Sequence, residues 1–267
     1  MLGFQLDCRC TSVIAVRQYF PAFGVVNFFS TPGEIEAGAS PKINWVCGRR
    51  IAGLFARHDD RGIYKVVPAL RYAHLFELRS TIQQGGKLIV LLTSSFEESM
   101  GILECVFAAG VAARSGFDET LIKSHQSLRG NVRAEAEKKW PAARAQGVGW
   151  VQHATWQILG EAKLVVTAGS SVALEAICRG VPVVIVGRPA GINLNPLETI
   201  DPGYWRMAYG ADDFESLAIS WLPTVPDADV RRAFGAQIRD QYFEAPTPDS
   251  MLAFAPDRHS NSTQAVP

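Results

Sequence analysis

The chain has 267 residues, 48% of them apolar, with 26 basic and 26 acidic residues. That length and apolar content suffice for one large domain or two modest ones around a substantial core, and they exclude a disordered chain. The zero net charge excludes the long-range field that favours nucleic acid or an anionic membrane surface, so a bound anion must be held by a local site.

The five cysteines, Cys8, Cys10, Cys47, Cys105 and Cys178, form no CxxC pair and no ligand cluster with the five histidines. This pattern points to free thiols in a reducing compartment and to no metal. Residues 1–20 carry Asp7, Arg9 and Arg17 where a signal peptide needs an apolar run, and no apolar segment has the length of a membrane span. A cytoplasmic protein with no nucleic-acid partner and no transmembrane segment is expected.

In chain order, "PKINWVCGRRIAGLFARHD" (41–59) and "GIYKVVPALRYAHLF" (62–76) fit a strand, a helix and a second strand with its exit loop. From Lys87 to about Glu244 short apolar runs alternate with longer helical stretches, the signature of βα units on a parallel sheet. "KLIVLLT" (87–93) is the first buried strand. "SSFEESMGILECVFAAGVAARSG" (94–116) reads as one helix, with Ser94 or Ser95 as N-cap, acidic residues in the first turn and Gly116 as the stop. "ETLIKSHQ" (119–126) is the second strand.

A charged helix near Val132 to Trp140 leads through a glycine-containing link and "GWVQHATWQILGEAK" to "LVVTAG" (164–169), the third strand. "SVALEAICRG" is the next helix, and "VPVVIVG" (181–187) is the fourth strand. "DDFESLAISWL" and "DADVRRAFGAQIRDQYF" are helical in pattern, while everything after Ala245 is rich in Pro, Ser, Asn and Thr. The expected organisation is a partial α/β domain over residues 1–78, a Rossmann-like domain over 79–244 and a loose tail over 245–267.

Chemistry concentrates in "LVVTAGSSVALEAICRGVPVVIVG". The β-branched run ends at Thr167, Ala168 and Gly169 allow a tight turn, and Ser170 or Ser171 can cap a helix that Gly180 and Pro182 end. A strand's carboxyl end feeding a helix amino terminus presents unpaired N–H groups at the ligand edge of a sheet, where phosphate fits. Bare scaffold is the competing reading, because every parallel α/β unit needs such a turn. Glu175 lies four residues after Ser171, one beyond the offset of a capping box, so it is either a ligand for a ribose diol or a solvated helix residue. In "IKSHQS", Lys123 and His125 alternate onto one side of a strand near its carboxyl end, which suits charge on a phosphate as well as an ordinary strand-end histidine.

These residues, in "EAKLVVTAGSSVALEAICRGVPVVIVG", resemble the donor-binding half of GT-B glycosyltransferases, above all those of bacterial surface-carbohydrate and capsule biosynthesis. "ETLIKSHQS" resembles the Lys-x-His-Pro element of that group, with Gln126 in place of proline, and "VVPALRYAHLF" resembles the segment by which its chain passes from the first domain to the second. The resemblance spans roughly Pro41 to Glu244. It implies that Lys123, His125 and the turn of Gly169, Ser170 and Ser171 meet nucleotide phosphates and that Glu175 meets the ribose. It also implies that "NWVCG" is the final strand of an acceptor-side domain of which only the last portion is present, as in a truncated or mis-started form of a longer protein.

The function so implied is nucleotide-sugar-dependent glycosyl transfer in surface polysaccharide synthesis, or the donor-binding part of such an enzyme. The partners would be a nucleotide-sugar donor and a saccharide or lipid-linked acceptor, with no cofactor beyond the donor and a place in the cytoplasm or at the inner face of the membrane. The loop "GINLNPLETIDPGYW" would help grip the donor. No acceptor-activating base is assigned; His153 and His58 remain by elimination. The alternatives are a nucleotide-sugar epimerase, a polyol-phosphate transferase, or a catalytically silent nucleotide-binding remnant.

Overall fold

The computed structural model describes residues 14–17, 31–38, 41, 43–58, 62–77, 86–190 and 193–254. They divide into two compact units, one holding the described residues up to Phe76 and from Asp240 on, the other those between Glu77 and Arg239.

The first unit is built on three parallel strands, β1 (Ile14–Arg17), β2 (Ile43–Val46) and β3 (Ile63–Val66), in the order β1-β2-β3. Helix α1 (Pro32–Glu36) precedes β2, and α2 (Arg49–His58) joins β2 to β3, burying Ile51 and Phe55. The strand in "NWVCG" is therefore not the last of its sheet: β3 follows it and pairs along it. After β3, one helical turn (Leu70–Tyr72) and α3 (His74–Glu77) lead the chain out.

The second unit is a six-stranded, wholly parallel sheet of β4 (Lys87–Leu91), β5 (Thr120–Lys123), β6 (Val148–Val151), β7 (Ala162–Thr167), β8 (Val183–Val186) and β9 (Trp205–Ala208). Its order is β6-β5-β4-β7-β8-β9, which, counted from β4, is the 3-2-1-4-5-6 order of a dinucleotide-binding fold. The β-branched runs form the centre because parallel strands are covered on both faces. Leu88, Ile89, Val90, Val165, Val166, Val183 and Val184 have no exposed surface.

Helices α4 (Phe96–Phe107), α5 (Val111–Ser115), α6 (Val132–Lys139), α7 (Thr155–Leu159) and α8 (Val172–Cys178) lie in the connections between strands, and α9 (Ala211–Ser216) follows β9. The expected single helix over 94–116 is two. Arg114 Nη1 donates to Val106 O at 2.9 Å and Ala109 O at 3.0 Å, satisfying carbonyls at the end of α4, while Gly110 N donates to Glu215 Oε2 at 3.0 Å. Those bonds break the helix at 108–110 and turn α5 away. Ser95 is the N-cap of α4, its Oγ accepting from Glu98 N at 3.3 Å.

Two strands of this sheet, and β1 of the first unit, have no counterpart in the expected elements. β6 and β9 are the edges of the sheet, short and half-buried, with Gly149 and Arg206 interrupting their apolar pattern. Leu88, Val90, Leu164, Val166 and Val184 point to one face, where Ile102, Val106, Val132, Ala136 and Phe214 of the helices close a single core.

Helix α10 (Ala228–Tyr242) begins in the second unit, and its residues from Asp240 on count with the first. Its end returns to the β2 region, where Glu244 N donates to Cys47 O at 2.7 Å and Ala69 N donates to Glu244 O at 2.9 Å. Residues 245–254, expected to be loose, fold instead: Thr247 caps α11 (Pro248–Met251), and Phe254 packs edge-on against Trp45 at 5.3 Å. Residues 255–267 of the expected tail lie outside the described residues.

The C-terminus of α8 shows why two glycines stand where they do. Gly180 sits at φ +72°, its N–H bonding Ile177 O at 2.8 Å while Val181 N bonds Ala176 O at 3.0 Å, the paired bonds of a left-handed helix stop. α10 crosses this end closely: a Cβ on Gly235 would stand 2.5 Å from Ile177 O, and one on Gly180 would stand 2.9 Å from the Arg231 backbone. Replacing Gly180 by alanine forces a left-handed conformation that costs an L residue about 1–2 kcal/mol and presses on α10. Urea unfolding is expected to show a loss of at least that size; an unchanged midpoint would contradict this packing.

Candidate functional site

The site follows from the place of β4. It pairs with β5 on one side and β7 on the other, so the connections leaving β4 and β7 diverge and a crevice opens at the carboxyl ends between them. Buried hydrogen bonds fix that edge. Thr167 Oγ1 donates to Leu91 O at 3.1 Å across the two strands, Leu92 N donates to Lys123 O at 2.9 Å, and Ser99 Oγ donates to Thr93 O at 3.1 Å.

From β7 the chain passes through Ala168, Gly169 and Ser170 into α8. Ser170 Oγ accepts from Val172 N at 3.4 Å, and Ser170 O accepts from Ala173 N at 3.1 Å. Ser171 stands at the N-cap position in a helical conformation, and its hydroxyl makes no capping bond. Gly169 is a point of close approach: a Cβ there would lie 2.7 Å from Leu194 O, in the loop after β8. That loop is locked by Asn193, whose Oδ1 accepts from Arg188 N at 2.6 Å and whose Nδ2 donates to Arg188 O at 3.0 Å. Gly191 and Ile192, in the loop expected to grip a donor, lie outside the described residues.

Glu175 is buried, 9% exposed, on the first turn of α8. The reading of it as a solvated helix carboxylate does not hold. Arg179, just past the end of α8, is 5% exposed.

Lys123 is the last residue of β5 and half-buried, at the same carboxyl edge. His125 is placed differently from the expectation. β5 stops at Lys123, so strand alternation does not reach His125, which is exposed in a turn where its Nδ1 accepts from Ser127 N at 3.1 Å and its carbonyl accepts from Leu128 N at 3.0 Å. The ends of β5 and β7 stand two strand spacings apart, about 10 Å, with the β4 loop between them. His153, just beyond β6, is exposed at this edge, and the His58 side chain lies outside the described residues.

Sequence reasoning missed part of this edge. The sequence expectation gives Thr93 to the strand and Ser94 or Ser95 to a helix cap, yet β4 ends at Leu91 and Thr93–Ser95 form the loop that leaves it, between the strands that end in Lys123 and Thr167; its mark in the sequence is a run of small polar residues directly after a buried strand. Arg188 and Asn193 come next to Gly169 through a fold-back no local pattern announces. Together with Glu98, Val186 and Leu194 they line a cavity of about 150 Å³. A larger one of about 540 Å³ adjoins it, between α4 and the ends of β8 and β9, with Glu97, Glu104, Cys105 and Tyr209 in its wall. Among the described residues no three His, Cys, Asp or Glu side chains converge as a metal site, and no helix is long and apolar enough to cross a membrane.

No family model and no curated protein sequence matches the chain. Solved structures do. S. aureus MnaA in a co-structure with UDP matches at a TM-score of 0.54 and 13% identity, over 91% of this chain and 66% of that one. Anabaena Alr3699/HepE in complex with UDP-glucose matches at 0.51 and 11%, over 87% and 68%. A putative UDP-N-acetylglucosamine 2-epimerase from Listeria monocytogenes matches at 0.50 and 18%, over 81% and 57%. This chain is thus an α/β protein of the GT-B type, with a Rossmann-like parallel sheet. It spans little more than half the length of the Listeria protein.

Two buried thiols, Cys47 in the first unit and Cys105 on α4 in the second, are held inert. Burial pushes Cys105, whose Sγ donates to Gly210 O at 3.2 Å, up to about 12, with the negative charge of Asp213 adding to the effect, and burial likewise pushes Cys47 up to about 12. At pH 8 neither forms appreciable thiolate. Peptide mapping after alkylation at pH 8 is expected to find Cys47 and Cys105 unlabelled in the native protein and labelled in urea. Rapid native labelling of Cys105 would contradict its burial.

Proposed function

We propose that the second unit grips the donor in a nucleotide-sugar-dependent glycosyltransferase. One observation carries this reading: the 3-2-1-4-5-6 strand order sets Lys123 and the Gly169–Ser171 turn on either side of the β4 loop, with the buried carboxylate of Glu175 one turn into the following helix. A diphosphate lying across the crevice meets the Lys123 ammonium and the amides of the two loops, with His125 at the rim. The ribose hydroxyls donate to Glu175. When the bond between the anomeric carbon and the phosphate oxygen breaks, negative charge collects on the diphosphate, and these groups stabilise it without a metal.

The UDP and UDP-glucose bound by MnaA and HepE support a uridine nucleotide as the donor's leaving group. The acceptor, a saccharide or lipid-linked sugar, and a role in surface polysaccharide synthesis at the cytoplasmic side of the membrane rest on the sequence resemblance alone. A second reading is favoured by the match to the Listeria protein, a putative 2-epimerase: the same crevice would hold a nucleotide sugar whose configuration is changed with no acceptor present. Product analysis with and without a saccharide acceptor separates the two, since transfer consumes donor only when acceptor is added.

Calorimetry with UDP-, GDP- and CMP-linked ligands tests the site itself. Wild-type protein is expected to prefer one of them. Glu175→Ala should weaken that binding at least tenfold, the loss of hydrogen bonds to a charged group worth about 1.5–3 kcal/mol, and Ser171→Ala roughly five-fold, the loss of about 1 kcal/mol. Equal weak binding by all three proteins would refute the assignment.

A further inference from the structure

We infer that the second unit holds a separate anion site at the amino edge of its sheet, one that takes a compact oxyanion of the size of inorganic phosphate. A cavity of about 400 Å³ opens there, walled by Lys163 at the start of β7, by Arg179 and Gly180 ahead of β8, and by Asp227, Arg231 and Arg232 at the start of α10. In a chain of zero net charge, four cations meet on this one wall. β7 is six residues long, so the cavity stands roughly 16 Å from the Gly169–Ser171 turn at the other end of that strand.

Arg179 carries the inference. It is buried, and its Nη1 donates to Trp156 O at 2.7 Å, while Nε and Nη2 bond no group. Those two atoms lie side by side on one edge of the guanidinium, the fork that holds an oxyanion through two parallel bonds. A buried cation in that state is costly, and an anion brought to it in a low-dielectric wall gains the most. Burial lowers the Arg179 pKa, the field of Glu175 opposes that, and no carboxylate closes on the fork. Lys163 and Arg231 are bonded in the same way: Lys163 Nζ donates to Gly116 O at 2.8 Å, and Arg231 donates from Nε to Gly180 O at 2.9 Å and from Nη1 to Pro226 O at 2.7 Å. All these acceptors are neutral carbonyls. Arg232 pairs with Asp229, and Asp227, the acid in the wall, caps α10 by accepting from Asp229 N and Val230 N at 3.0 Å each. The amino end of α10, a helix of 15 residues, adds its positive dipole end. The described residues of the wall include no aromatic ring and no side-chain hydroxyl or amide, so nothing there stacks on a base or reads a sugar. The ligand this chemistry fits is a bare oxyanion and not a nucleotide.

Amide chemical-shift mapping during titration with inorganic phosphate, against sodium chloride of equal ionic strength, tests this. Wild-type protein is expected to saturate with a Kd of about 1 mM, with shifts at residues 162–163, 179–181 and 227–232. Arg179→Lys, which keeps the charge and loses the fork, should bind about tenfold more weakly, one charge-assisted hydrogen bond, and Lys163→Met at the exposed rim should also weaken binding. Ser171→Ala, at the donor turn, should leave the titration unchanged. Phosphate that moves these amides no more than chloride does overturns the inference, as does a wild-type Kd in Arg179→Lys, which would make the arginine a packing residue only. If Arg179→Lys does not fold, Lys163→Met decides: weaker binding supports the site and an unchanged Kd overturns it. Equal weakening by Ser171→Ala would put the phosphate in the donor crevice and overturn the inference too. UDP should leave these amides unmoved whether or not it fills the crevice, so this site and the proposed function fail separately; UDP shifts here as large as those from phosphate would contradict a site for a bare oxyanion.

Discussion

Strand β4 is hydrogen-bonded along both edges, to β5 and to β7, and the chain departs from it in one direction and from β7 in the other. The rest of the second unit depends on that double pairing. It buries Leu88 to Leu91, which are Leu, Ile and Val, and it leaves a gap at the carboxyl edge where the loops leaving β4 and β7 diverge. The bond from Thr167 to Leu91 O stitches the two strands at the floor of this gap. A site placed there rests on buried, hydrogen-bonded strand ends, although the groups that line it belong largely to loops.

The same constraint separates gripping a ligand from turning it over. Lys123, Thr93–Ser95, Gly169–Ser171 and Glu175, the residues of the proposed donor site, all lie in the second unit. Most of the conformational work in this region goes into approach rather than reach: Gly169 admits Leu194, Gly180 and Gly235 admit α10 against α8, and each tolerates no side chain. The small residues that look like phosphate-binding signals in the sequence thus have a packing duty as well, and the ligand reading rests on Lys123, Ser171 and Glu175 more than on the glycine.

Much of this was legible in advance, for physical reasons that differ by element. The central strands announce themselves because burial on both faces demands unbroken β-branched runs, and the α4 cap because Ser95 precedes two glutamates. β6 and β9 were illegible because an edge strand is half-solvated and tolerates Gly149 or Arg206. The break after Phe107 depends on Arg114 and Glu215, the second more than a hundred residues away, and no local propensity reports such a bond. Glu175 stands out by its offset from a cap, which is a local signal, and its burial is not legible in the sequence. His125 was misplaced because alternation was carried two residues past the strand's end, where the backbone had already turned.

The central claim is that a nucleotide lies at the carboxyl edge, across the β4 and β7 loops. Amide chemical-shift mapping of the isotope-labelled protein during titration with UDP tests it most directly. The account predicts perturbations clustered at residues 92–95, 123–127 and 168–175, with the amino-edge residues near Pro182 and Arg231 unmoved. Perturbations gathered at that opposite edge, or scattered with no cluster at all, would contradict it.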